Sequence, residues 1–182
     1  MHQSSVIEFG SIFSKATKDI IKISTGLNIH ISSTFQSVPN IMIAGDIGSF
    51  VSFKGDYNGI MVMNFSGESA LEIVQSYLKM MGMPEQDIPV NYTSDDVRSN
   101  IGEIVNQIIG KSRQMVQNKY DLASKANIPA VVPITTPIGL MLETAQMETH
   151  ECLRISLSTP STNRFYIELS LESSKLIQVA DK

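Results

Sequence analysis

The sequence predicts an α+β fold: an antiparallel-rich sheet with helices packed on one face, built from two pseudo-repeated halves. Three observations carry that prediction. Residues 5 to 25 place Val6, Phe9, Phe13, Ala16, Ile20 and Ile23 at alternating separations of 3 and 4, the period of an amphipathic helix. Residues 93 to 119 repeat the pattern over a longer span. The stretches that follow each helix break into short apolar runs bounded by Gly, Pro and Asn, as strands do. Each half therefore opens with a helix and continues in strands, although the halves share negligible sequence identity.

Gly26 and Asn28 are stop signals for the first helix. Ile29 to Phe35 alternates as a strand. Ile41 to Ala44 and Gly48 to Phe53 are strand-like, with Gly45-Asp46 as a bulge between them. The turn-rich run Lys54 to Gly59 links this strand to Ile60–Phe65, so the two should form a hairpin. A helix from Ser69 to Met81 follows, with Ala70, Ile73, Val74, Tyr77 and Met80 on its apolar side, and Gly82 and Pro84 end it. The long helix begins at Thr93, read as N-cap, with Asp96 three residues on in the manner of a capping box. After it, Ile128–Val132, Ile138–Thr144, Glu151–Leu157 and Phe165–Leu171 supply further strands.

The 182 residues suit one domain, 1–182, with 42% apolar and 18% charged residues, a globular balance. A formal charge of −4, with no basic cluster, argues against nucleic acid and anionic membrane as partners. No apolar run approaches a membrane span, and no export signal opens the chain, so a cytoplasmic location is expected. Cys152 is alone and cannot form a disulfide within the chain. His2, His30 and His150 lack metal-ligand spacing, so no metal site is expected. Met80, Met81 and Met83 could add to an adaptable contact surface.

The chemistry-bearing residues gather on the long helix. At about 100° per residue, Ser99, Glu103, Asn106, Gly110 and Arg113 stack along one polar line. Val97, Ile101, Ile104, Ile108 and Met115 lie opposite and face the core. Gly110 lies on the polar line and Gly102 beside it, each costing the helix about 1 kcal/mol relative to alanine. That cost suits close approach by another backbone or a partner surface. The competing explanation is an ordinary wet helix face.

Ser99-x-x-x-Glu103-x-x-Asn106, then 22 residues and Pro129, resembles the signature of the CheC/CheX/FliY chemotaxis phosphatases. Gly45-Asp46-Ile47-Gly48-Ser49-Phe50-Val51 and Gly59-Ile60-Met61-Val62 are similar to the hairpin those proteins carry, with Gly48-Ser49 in the reverse of the expected order. The single motif favours the CheX-like branch, since Lys15 and Lys18 occupy the first helix where a second motif would fall. The resemblance implies a hydrolase acting on the aspartyl phosphate of a CheY-like response regulator. The regulator would supply the Mg²⁺ and a lysine, and this chain would need no cofactor of its own. Asn106 would orient the attacking water, its carbonyl accepting and its amide donating. Glu103 would pair with the partner's lysine. Ser99 would touch the partner or simply allow approach, Gly102 and Gly110 would permit close docking, and Pro129 would shape the entrance to a strand. Arg113 reads as a solvated residue. CheX-like proteins pair, and the edge strands read as apolar enough to join, so a homodimer is implied. A second functional class stays open: a noncatalytic interaction or flagellar-switch-type oligomeric module on the same scaffold.

Overall fold

Helix α1 (Ser5–Thr25) packs antiparallel to α3 (Asp95–Tyr120), and the shorter α2 (Gly67–Met80) lies beside them. The computed structural model describes residues 5–140 and 150–172. The strands are β1 (His30–Ser37), β2 (Ile41–Ile43), β3 (Ile47–Gly55), β4 (Gly59–Phe65), β5 (Ser124–Ala126), β6 (Ala130–Pro133), β7 (Ile138–Leu140), β8 (His150–Ser158) and β9 (Arg164–Glu172). Seven of them form one sheet in the order β1-β8-β9-β4-β3, with β5 and β6 both pairing the outer side of β3. Every pairing is antiparallel.

That order carries the repeat the sequence hinted at. The halves α1-β1-β2-β3-β4 and α3-β6-β7-β8-β9 exchange their first strands: β1 pairs the hairpin β8–β9, and β6 pairs the hairpin β3–β4. The two hairpins join at the centre through β4 and β9, and the remaining strands β2 and β7 pair with each other. Neither half closes its sheet without the other.

The helices cover one face. Phe9 and Phe13 of α1 are buried against Phe53 and Tyr57, with the Phe9 and Tyr57 rings 4.9 Å apart edge to face. The α1 core face differs from the expected stripe. Ile23 is 72% exposed, and Ile21, Thr17 and Thr25 are buried. The threonines disguised this face because each satisfies its hydroxyl within the helix, on Phe13 O at 2.8 Å and Ile21 O at 2.6 Å. In α2, Met80 is likewise exposed and Leu78 buried.

The opposite face of the sheet holds a layer that the sequence pattern does not announce. Gly45 and Asp46 are not a bulge within one strand. Gly45 adopts a left-handed φ of +85° and turns the chain from the β2–β7 ribbon into the main sheet. Ile41 and Ile43 of the ribbon pack on Val62, and a Cβ at Gly48 would collide with Ile43 Cγ2. The glycine of Gly48-Ser49 therefore stands where the ribbon presses down. Asn64 holds the ribbon by accepting from Ala44 N and donating to Met42 O, both at 2.8 Å. Buried Glu168 accepts from Met42 N and from Arg154.

Three other expectations are corrected. Ser94, not Thr93, caps α3, accepting from Val97 N at 3.3 Å, while Thr93 bonds Asn91. The strand expected at Ile128–Val132 begins only at Ala130, and Ile128 stands outside it. Edge strand β1 is polar along its exposed positions His30, Ser33, Thr34, Gln36 and Ser37, so it offers no apolar edge for sheet pairing. Residues 141–144 of the expected Ile138–Thr144 strand lie outside the described residues.

Replacing Ser94 by alanine should cost about 1 kcal/mol in denaturant unfolding, and Thr93→Ala should cost less. Glu8 gives a pH-dependent test. It accepts from Lys119 Nζ at 2.8 Å and Tyr120 Oη at 2.6 Å, tying α1 to the end of α3. The Lys119 ammonium, and then the Tyr120 hydroxyl, hold the Glu8 carboxyl below its ordinary value. A depressed carboxyl stabilises the fold above its unfolded value, and the gain fades as pH falls through the folded one. Thermal unfolding should therefore separate wild type from Glu8→Gln at pH 7, with the gap closing in acid.

Candidate functional site

The apolar side of α3 fixes which of its residues reach solvent. Val97, Ile101, Ile104, Val105, Ile108, Ile109 and Val116 are buried, which turns Ser99, Glu103, Asn106 and Gly110 outward. Ser112 completes the buried face, with its hydroxyl donating to Ile108 O at 2.8 Å. Expected core residue Met115 is only half-buried. Glu103 and Asn106 lie three residues apart, about 4.5 Å along the axis and about 60° around it. Among the described residues neither side chain has a hydrogen-bond or ion-pair partner. A carboxylate and a carboxamide thus stand side by side with their bonding capacity unused.

They border an open groove of about 380 Å³ between α3 and the chain entering β6. Ser99, Gly102, Glu103 and Asn106 line the helix side; Ile128, Pro129 and Val131 line the other. The structure also brings Pro129 beside the polar line, immediately before β6 begins at Ala130. Gly102 and Gly110 separate in role. A Cβ on Gly102 would lie 3.4 Å from Val131 Cγ2, an ordinary contact across the groove to β6. A Cβ on Gly110 would meet nothing among the described residues within 4 Å, and Gly110 lies outside the groove.

Arg113 is not the solvated residue expected. It is half-buried and donates to the carbonyl of Ser124, pinning β5 to the helix. Two groove residues escape a reading by sequence pattern. Arg98 lines the groove one turn before Gly102 and is held by Asp95 and by Thr93 O. Ile128 looks like a strand residue, and its neighbours Asn127 and Pro129, both poor strand formers, are the available warning.

The other candidates stay apart. His30 pairs across from Ser158 and His150 begins the same strand β8, so the two sit at its opposite ends; His2 lies outside the described residues. No group of three His, Cys, Asp or Glu among the described residues could hold a metal. Cys152 is half-buried with Sγ 3.3 Å from Ser170 Oγ. No helix of the described residues is long and apolar enough to cross a membrane.

Since nothing among the described residues lies within 4 Å of a Cβ placed on Gly110, Gly110→Ala should stabilise the isolated protein by about 1 kcal/mol in thermal or denaturant unfolding. Loss of stability would show that the glycine serves the chain's own packing.

Solved structures share this architecture. Chemotaxis protein CheX from Desulfovibrio desulfuricans superposes with a TM-score of 0.70 at 20% identity, covering 91% of this chain and 99% of that one. CheX from Vibrio vulnificus gives 0.71 at 19% identity over 91% and 99%. CheX of Borrelia burgdorferi, solved in complex with CheY, BeF3 and Mg²⁺, gives 0.64 at 15% identity over 90% and 97%. These likenesses show the CheX/CheC-like fold. No curated protein matches the sequence. Residues 9–182 match the family model described as protein of unknown function (DUF3334), and the chain belongs to that family, with a CheX/CheC-like fold.

Proposed function

We propose that this protein is a phosphatase that hydrolyses the aspartyl phosphate of a CheY-like response regulator. The observation that carries the reading is the exposed, unpartnered Glu103–Asn106 pair on a rigid helix beside an open groove. The Borrelia relative, crystallised with CheY, BeF3 and Mg²⁺, supports a partner of that type.

An acyl phosphate is already activated, so what the reaction still lacks is a water positioned in line with the bond that breaks. Asn106 can hold that water. Its Oδ1 accepts from the water and its Nδ2 donates, with no net charge to repel phosphate. A carboxylate in that role would repel the phosphoryl oxygens. Glu103 is better used one turn away, pairing with the regulator's lysine and setting the register of docking. The Mg²⁺ belongs to the regulator. Ser99 and Gly110 leave room along the same line.

The test is decay of a phosphorylated response regulator with and without the protein. Wild type should accelerate it, and Asn106→Ala should lose about a hundredfold of that acceleration while remaining folded. Glu103→Gln should raise KM for the regulator more than it lowers kcat. A folded Asn106→Ala variant as fast as wild type would remove Asn106 from the mechanism. Failure of wild type to accelerate decay of any cognate regulator would favour the noncatalytic interaction module.

A further inference from the structure

We propose that Ile128 and Ile23 bracket the Glu103–Asn106 pair as the apolar contacts that seat the partner protein on α3. This rests on the phosphatase reading above, and the occupant is the phosphorylated regulator. Ile128 is 88% exposed and Ile23 72%. Single exposed apolar residues are ordinary. These two differ in their placement and, for Ile128, in how firmly it is presented.

Ile128 stands on the groove wall facing Glu103 and Asn106. Its loop is tied on both sides. Asn127 donates its backbone N–H to Ser52 O at 3.0 Å and its side-chain amide to Ser52 Oγ at 2.8 Å. Pro129 has its own φ fixed by its ring, and Ala130 then enters the sheet opposite Phe50. A β-branched side chain held in water by a braced loop loses little entropy when a partner covers it.

The last turn of α1, which carries Ile23, flanks the other side. There the adjacent Ser24 donates to Gln107 Oε1 at 3.2 Å. Around α3, Gln107 is about 100° from Asn106 in one sense, while Gly102 and Arg98 lie about 40° and 80° in the other. The end of α1 and the groove wall therefore flank opposite edges of the polar line. A polar centre rimmed by apolar side chains suits a protein surface with a charged pocket at its middle, since the rim excludes water from the pairing there.

The test measures decay rate against regulator concentration, and separately the Kd for beryllofluoride-activated regulator. Ile128→Ser and Ile23→Ser should each raise KM and Kd about tenfold, since each loses one buried apolar side chain at the contact. Ile138→Ser, on the ribbon across the sheet from α3, should change neither. Weakened Kd in both variants without any wild-type hydrolysis would uphold the seating and sink the phosphatase reading. Unchanged KM and Kd in both variants, with Asn106→Ala still defective, would overturn the seating alone. No binding of activated regulator by wild type would overturn both.

Discussion

Everything at the candidate site follows from the burial of one face of α3. Seven aliphatic side chains of that helix are at most 1% exposed, wedged between α1 and the sheet. Such a face removes enough apolar surface from water to fix the helix in rotation as well as position. With rotation fixed, the outward direction of Glu103 and Asn106 is not adjustable. The pair keeps its orientation without using a hydrogen bond to do so, which leaves the bonding capacity of both groups unused. Ser94 and the α1 tie through Glu8 hold the two ends of the same helix.

Much of this was legible in the sequence because it obeys one period. The run Val97, Ile101, Ile104, Ile108 specifies a buried side, so Ser99, Glu103, Asn106 and Gly110 are assigned to the other by geometry alone. The approach of Pro129 to that line is a tertiary event that no periodicity carries. The misreadings share a cause. Thr17, Thr25 and Ser112 are buried yet polar, and their hydroxyls are satisfied by the preceding turn, which a pattern of apolar letters cannot register. Ile23 and Ile128 are the converse, apolar letters standing in water. Arg113 reads as a surface cation and instead anchors a strand that no periodicity announced. Both strands of the β2–β7 ribbon could be read, but not their pairing apart from the main sheet, because the partners lie far apart along the chain.

The glycines divide the same way. Gly48 is small for the chain's own sake, beneath Ile43, whereas a Cβ on Gly102 would only touch Val131. Gly110 has no such tenant above it among the described residues. A helix that forgoes a methyl group where its own fold leaves open space has given up stability without internal return. Natural chains accept such losses where a surface has another use.

The exchange of first strands reaches back to the birth of the chain. As it leaves the ribosome, β1 is complete long before β8 exists, and His30 waits for Ser158 to be synthesised. Until then the strand has no neighbour on that side, and closing so wide a loop is slow. The polar make-up of β1, poor as an edge for sheet pairing, is well suited to that interval: an unfinished chain with a hydrophilic margin is less inclined to stick to its neighbours on the polysome.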